Sequence, residues 1–347
     1  MGKKLFDFVI GNPPYNADFN ESGQNGNFAQ PVYNDFMDAA NEVAKKVELI
    51  HPARFLFNAG STPKAWNKKM LNDSCFKVLR YEESASVIFP NTDIKGGIAI
   101  TYHDSESDFG AIEVFTKYSE VNTVLHKIEN QLHNGNLSQI MYNQNKFNLD
   151  AMYRDYPNLK NVIGSDGRDK RFRNNIFDKV PLFSDEPQSN NSIRVYGVVK
   201  NRRVWKWFPE EYIDVEHENI SKWKVLVARV NGSGAFGEVL SSPIVEGPNE
   251  GYTQTFIGIG NFDTQDEANN VLKYIKTRFA RTLLSVLKIT QDNSIETWAK
   301  IPLQDFTSSS DIDWGKSIHE IDLQLYKKYG LTDEEIQFIE TNVKEMD

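Results

Sequence analysis

An apolar run that stops on two prolines constrains this chain more than any other feature. Phe6-Asp7-Phe8-Val9-Ile10-Gly11 is followed at once by Asn12-Pro13-Pro14-Tyr15. So short an apolar run predicts a buried strand of a parallel sheet, with Gly11 allowing a sharp turn at its end. Residues 12–15 then fall on the loop at the strand's carboxyl end, where open α/β sheets build their sites. Their types suit holding a flat heterocycle that carries an exocyclic amine. Asn12 offers a side-chain carbonyl, Pro13 a backbone carbonyl on a stiff segment with no N–H of its own, and Tyr15 a ring for stacking.

The rest of the first third predicts strands and helices in alternation. Residues 34–46 predict a helix, with Phe36, Ala39, Ala40, Val43 and Val47 on one face. Residues 48–52 predict a short strand stopped by Pro52. Thr62-Pro63 predicts a helix start, with Thr62 as N-cap. Residues 76–81 and 97–102 predict strands. This order is that of the later half of a doubly wound sheet. Residues 16–30, polar and rich in Gly and Asn, predict a mobile loop.

Residues 119–132 predict a connecting helix with Val121, Val124, Leu125, Ile128 and Leu132 inward. Beyond it the composition changes: residues 133–192 hold many Asn, Asp and Arg, and 184–192 predict a polar loop. Strands are expected at 193–199, 223–230 and 253–259. Thr264-Gln265-Asp266-Glu267 is a capping box before one long helix running through Val286. Two helices, at about 315–328 and at 333–346, close the chain, the second opened by Thr332 and Glu335.

At 347 residues the chain can hold two domains with separate cores. No apolar run reaches the length of a membrane span, and residues 1–11 lack a signal-peptide core, so a cytoplasmic protein without membrane partners is expected. Cys75 is the only cysteine, which rules out an intrachain disulfide and a Cys-rich zinc site; no metal is expected. The net charge of −9 works against phosphate binding unless basic residues cluster.

Asn12-Pro13-Pro14-Tyr15 resembles the catalytic (D/N/S)PP(Y/F/W) motif of the DNA adenine-N6 methyltransferases of restriction–modification systems. The likeness is greatest to the Eco57I-like methylases, in which a methyltransferase is followed by a DNA-recognition domain. Residues 50–56 (Ile-His-Pro-Ala-Arg-Phe-Leu) and Val87-Ile88-Phe89-Pro90 resemble later segments of that family, and Thr92, Asp93, Lys95 and Gly96 the rest of the same loop. The resemblance implies that a flipped adenine is held by the 12–15 loop, with Tyr15 on one face and Phe89 stacking as the later-loop aromatic. Asn12 and the Pro13 carbonyl would accept hydrogen bonds from the amine and free its lone pair. That is electrostatic preorganisation, which asks for no general base, so His51 reads as structural. The implied donor is S-adenosyl-L-methionine, whose segment normally precedes the motif. Only eleven residues do so here, so most of the donor site is expected to be missing from this chain and the chain to be a C-terminal fragment.

Gly232-Ser233-Gly234-Ala235-Phe236-Gly237 matches G-x-G-x-x-G, but 238–243 do not predict the helix that fingerprint needs. It reads as a hairpin or DNA-facing loop. A first strand with no neighbour on its outer side would leave an apolar edge seeking a partner. Self-association or an upstream methyltransferase or nuclease half would cover it.

Two basic clusters offset the acidic balance. Arg168, Lys170, Arg171 and Arg173 surround Phe172; Lys200, Arg202, Arg203 and Lys206 interleave with Trp205 and Trp207. Either predicts contacts to double-stranded DNA or a solvated surface. Residues 193–310 and the ending around Asp313-Trp314 resemble the family's target-recognition domains.

The expected fold is therefore α/β: the later half of a doubly wound, Rossmann-like methyltransferase sheet, then an α+β target-recognition domain and C-terminal helices. The expected boundaries are 1–117 for the catalytic part, 118–135 for the connecting helix, 136–310 for recognition and 311–347 for a helical tail. The expected function is site-specific adenine-N6 methylation in a type II, IIG-like restriction–modification system. The alternative is a DNA-binding module without methyltransferase activity of its own. A nuclease is disfavoured, since no PD…(D/E)xK pattern occurs and Glu113-Val114-Phe115 lacks the lysine.

Overall fold

A computed structural model describes residues 4–16, 30–90 and 94–347. Most of the loop expected at 16–30, with Thr92 and Asp93, lies outside the described residues. The chain divides into two units, Met1–Asn122 and Thr123–Asp347. Both mix helices and sheets, and no helix among the described residues is long and apolar enough to cross a membrane.

The first unit is built on four strands, β1 (Phe6–Gly11), β2 (Ala44–Pro52), β3 (Phe76–Glu82) and β4 (Ile98–Asp104), in the order β1-β2-β4-β3. β1 and β2 are parallel, whereas β4 runs antiparallel to both β2 and β3. Helices α1 (Tyr33–Val43) and α2 (Lys64–Leu71) cover one face, where Met37, Val47, Leu49, Phe55, Trp66, Met70 and Phe76 form the core. The helix expected through residue 46 stops at Val43, and Ala44 already belongs to β2. Gly11 stays within the strand, so the turn comes from the prolines.

Among the described residues β1 has a neighbour on one side only, so the strand that the sequence predicts to be buried is largely exposed. Phe6, Phe8 and Ile10 are 56%, 61% and 75% exposed. This is the open apolar edge expected from the sequence. Lys46 offers partial cover, with its ammonium 5.6 Å from the Phe8 ring centroid.

Helix α3 (Ser119–Leu132) forms where its spacing predicts, and the division between the units falls within it. In the second unit three short helical segments, α4 (Leu149–Asp155), α5 (Gly164–Gly167) and α6 (Ile176–Lys179), lie between the first strand and the rest. Strands β5 (Met141–Tyr142), β8 (Trp223–Ala228), β9 (Ile244–Glu246) and β11 (Phe256–Phe262) form an antiparallel sheet in the order β5-β11-β8-β9. A second sheet, β10-β6-β7, joins β6 (Ser192–Val199), β7 (Arg202–Pro209) and β10 (Glu250–Tyr252).

The long helix expected after Thr264 is two helices, α7 (Gln265–Lys276) and α8 (Arg278–Leu287). Thr277 is extended between them and caps α8 by accepting from the Ala280 N–H. The Asp322 carboxylate also accepts from the N–H groups of Arg278 and Phe279, each at 2.9 Å. The closing helices α9 (Ile318–Lys328) and α10 (Asp333–Asn342) both start with capping boxes. Ile321, Leu325, Tyr326 and Ile339 lie in one core with Phe279 and Leu283, so the helices of 311–347 pack into this unit.

Candidate functional site

Three strands of the first unit bring their carboxyl ends to one edge of the sheet. Gly11 is level with Leu49, Pro52 pairs with Ile98, and Ile98 pairs with Glu82. The loops after β1, β2 and β3 therefore leave from a common edge. Asn12-Pro13-Pro14-Tyr15, Arg54 and the segment ending in Phe89 and Pro90 are all delivered there.

Asn12 is exposed and its amide makes no hydrogen bond of normal geometry among the described residues. Nor does any described donor engage the Pro13 carbonyl. Among the described residues, then, the Pro13 carbonyl is unengaged and the Asn12 side chain meets only the neighbouring Tyr15 hydroxyl. Tyr15 is half-buried and anchors the loop: its carbonyl accepts from the Val32 N–H at 3.0 Å, and Asn16 bridges to Pro31. Its hydroxyl is buried without a hydrogen-bond partner of normal geometry among the described residues. Burial pushes the Tyr15 pKa up, and the nearby Asn12 side chain pulls it partly back.

The floor of this edge is aromatic. His51 stacks on Tyr33 at 5.7 Å and 6°, and Phe55 packs on His51 and Trp66. His51 Nδ1 lies 3.2 Å from the Pro52 carbonyl, which can only accept, so Nδ1 carries the proton. Nε2 then accepts from the Thr101 hydroxyl at 2.7 Å. Burial lowers the His51 pKa to about 4, partly offset by the Pro52 carbonyl. The ring is a neutral structural element.

Phe89 is half-buried and follows a 3-10 turn, Ala85–Val87. The Phe89 N–H donates to the Ala85 carbonyl at 2.9 Å. Its ring stacks on no described aromatic, Tyr15 included. Gly96 and Gly97 hold positive φ, 88° and 78°. A Cβ on Gly97 would collide with the Glu82 carbonyl. The close approach lets Gly97 accept from the Ala53 N–H at 3.0 Å and ties this loop to the end of β2.

Arg54 is the residue that sequence reasoning missed. It stood out there only as part of the 50–56 signature. In the structure it is exposed at the carboxyl edge, with its stem against Gly60 and Gly96 and no acidic partner among the described residues. Local sequence shows the charge but not this isolation.

The basic clusters of the second unit divide into tied and untied groups. Arg171 grips Asp169 through two hydrogen bonds of 2.8 and 3.0 Å, and Arg173 binds the same carboxylate. Asp169 is held at a pKa of about 2, chiefly by the Arg171 hydrogen bond. Phe172 between them is fully buried in a core with Phe147, Phe183 and Phe208. Arg168 lies 3.6 Å from Asp166 in an exposed pair. Lys206 pairs with Asp185, and Arg203 donates to the Ser241 and Ser242 carbonyls, both at 2.6 Å. Lys170, Lys200 and Arg202 have no ion pair among the described residues. Lys200 and Asn201, both at positive φ, form the two-residue tip of the β6–β7 hairpin and present Lys200 and Arg202 to solvent.

The glycine-rich 232–237 loop does cradle an anion, and that anion is the chain's own Glu238. Its carboxylate accepts from the N–H groups of Ser233 (2.8 Å) and Gly234 (3.2 Å) and pairs with Lys288. No helix follows the loop directly. It is not a cofactor site.

The model of the Eco57I restriction-modification methylase family matches residues 1–89. An uncharacterized adenine-specific methylase of Mycoplasma pneumoniae is 31% identical over 122 residues, which are 35% of this chain and 28% of that protein. The crystal structure of the type IIG restriction endonuclease BpuSI aligns over 91% of this chain and 48% of its own, with a TM-score of 0.33 and 9% identity, too loose a likeness to argue from. The chain spans well under two thirds of either relative. Over residues 1–89, the segment that holds Asn12-Pro13-Pro14-Tyr15 and the Phe89 loop, the chain is similar to the Eco57I restriction-modification methylases.

Proposed function

We propose that this chain is the base-holding and target-reading part of a site-specific DNA adenine-N6 methyltransferase of a type II, IIG-like restriction–modification system. One observation carries the reading. Two acceptors, the Asn12 side chain and the Pro13 carbonyl, neither tied to another element among the described residues, sit at the carboxyl end of a parallel strand within the segment similar to a restriction-modification methylase family and to an adenine-specific methylase. In a flipped adenine the amine lone pair is delocalised into the ring. Acceptors aimed at both amine hydrogens draw the nitrogen toward a pyramid and localise that pair. Tyr15 and Phe89 supply stacking faces, worth about 1–3 kcal/mol per base. Arg54, exposed beside them, holds a phosphate of the displaced strand. The untied Lys170, Lys200 and Arg202 of the second unit meet the duplex backbone.

The methyl donor of such an enzyme is S-adenosyl-L-methionine. The described residues contain no glycine-rich turn from a strand into a helix to hold it, and the 232–237 loop is filled by Glu238. They do not by themselves form its site. Residues beyond those described, or another polypeptide, complete that site by pairing with the open edge of β1. The enzyme acts in the cytoplasm, on the cell's own DNA.

The test is the content of modified bases in DNA from cells that carry the gene in its natural setting. Adenine N6-methylated at a defined sequence, and lost in Asn12→Ala, supports the reading. Methylation of cytosine alone, unmodified adenine, or adenine methylation that survives Asn12→Ala overturns it.

A further inference from the structure

At the end of the first unit's sheet away from Asn12, three unlike Lewis bases converge. A carboxylate oxygen of Asp73, the Cys75 sulfur and a ring nitrogen of His103 all lie within 4.8 Å of one another. Asp73 and Cys75 sit on the turn into β3. His103 pairs with Phe76 from the facing strand, β4. The backbone there is pinned: Asp104 N–H donates to the Cys75 carbonyl at 3.0 Å, Phe109 N–H to Ser74 at 2.7 Å, and Cys75 N–H to Asp73 Oδ1 at 2.9 Å.

Asp73 thus spends one oxygen on the turn and aims the other, Oδ2, at His103 Nε2, 3.2 Å away. Nitrogen and oxygen ligands about 2.0–2.1 Å from a tetrahedral zinc ion stand about 3.3 Å apart, and a thiolate sulfur about 3.6 Å from either. The first spacing is already met, and the Cys75 sulfur lies within 4.8 Å of both partners. Among the described residues His103 Nε2 faces Asp73 and Nδ1 is buried without a hydrogen-bond partner, so no other element holds the ring. Cys75 is only partly buried, and that leaves an entry path.

We propose that Asp73, Cys75 and His103 form a binding site for one divalent transition metal of the zinc class, with solvent completing the coordination. Thiolate, imidazole and carboxylate suit a borderline-soft ion rather than Mg2+ or Ca2+. On binding, the Cys75 thiol passes its proton to solvent. The metal clips the start of β3 to the end of β4. It lies away from the loops that hold the base, and nothing in the proposal depends on methyl transfer.

Cobalt(II) is the probe, because a cobalt–thiolate bond gives near-ultraviolet charge-transfer absorption and tetrahedral cobalt absorbs in the visible. Cys75 is the chain's single cysteine, so that band reports this site alone. Titration of the full, reduced chain with CoCl2 is expected to give both absorptions, saturating at one ion per chain and displaced by Zn2+. Cys75→Ser abolishes the near-ultraviolet band, and His103→Ala weakens cobalt binding by about tenfold or more. Unchanged melting of the metal-free Cys75→Ser chain shows that the fold survives. Absence of the thiolate band from the parent, cobalt binding without it, or the same affinity in His103→Ala overturns the proposal.

Discussion

Acidification from about pH 7 to about pH 4 should cost the first unit about 3 kcal/mol through one imidazole, that of His51. The ring is fully buried between Tyr33 and Phe55, and both its nitrogens are engaged while it is neutral. Burial holds its pKa at about 4, against 6.5 for an ordinary histidine. Between those values the unfolded chain binds a proton that the folded chain refuses. The stability conferred by the neutral ring is complete above pH 6.5 and drains away as the pH falls toward 4. At about 1.4 kcal/mol per pH unit, that interval gives the figure of about 3 kcal/mol.

Trp66 makes the measurement local. Of the chain's six tryptophans it is the only one before residue 123, and it packs on Phe55 and Tyr33 in the same cluster. Fluorotryptophan labelling, with Trp66 assigned from Trp66→Phe, follows unfolding of this unit in urea at each pH. His51→Gln keeps a neutral group that can bond Thr101. It should cost about 1–3 kcal/mol at neutral pH and remove the His51 share of the acid sensitivity. Equal slopes for parent and variant between pH 6.5 and 4, or a His51 ring that titrates near 6.5 by NMR, would refute the argument.

Asn12→Ala should lower methyl transfer by the complete enzyme about 10²–10³-fold while leaving DNA affinity unchanged, because one of two preorganised acceptors is lost. Equal loss of both would show Asn12 to be a structural residue. Lys200→Ala with Arg202→Ala should weaken DNA binding and flatten its logarithmic salt dependence by about 0.9 per contact removed. Arg203→Ala should instead cost about 1–2 kcal/mol of stability, since its guanidinium is committed to the Ser241 and Ser242 carbonyls; an unchanged salt slope in the first variant moves the DNA surface elsewhere. Glu238→Ala strands Lys288, whose side chain is 2% exposed, and should destabilise the second unit by about 3 kcal/mol. Added Lys288→Met should restore part of that, and a single-variant loss below about 1 kcal/mol in urea unfolding would refute the role of the clamp.

The features legible in the sequence were those that local chemistry decides. The Phe6–Gly11 strand, the capping boxes at Thr264 and Thr332 and the helix Ser119–Leu132 formed where periodicity and caps put them. Misreadings arose where a distant partner decides. Ala39, Ala40, Val43 and Val47 keep helical spacing through residue 47, yet pairing with β1 and β4 draws Ala44 onward into β2. No glycine or proline marks the change. The break at Thr277 depends on Asp322, far along the chain. The β6–β7 hairpin went unread because Lys200-Asn201 lacks the usual Asn-Gly signature of its turn. Asp169 lay in plain view among the arginines of its cluster, but only the fold shows that it pairs with two of them. Asp73, Cys75 and His103 match no metal-ligand spacing; strand pairing alone assembles them.

The two edges of the first sheet are protected very differently, and that contrast bears on how the chain works. β3 carries the usual defences of an exposed edge: Lys77, Arg80 and Glu82 along it and a register shift between Val78 and Arg80. β1 has almost none. Asp7, paired with Lys45, is its one charge, and Phe6, Phe8 and Ile10 stand in solvent. An apolar strand left open in this way is costly and invites association. The same strand places Asn12 and Pro13 at its end, so whatever pairs with β1 also comes to lie beside the two acceptors. On the proposed reading that neighbour brings the methyl donor. Covering the edge and completing the active site are then a single event, and DNA affinity measured on the chain alone is no guide to its methyl-transfer activity.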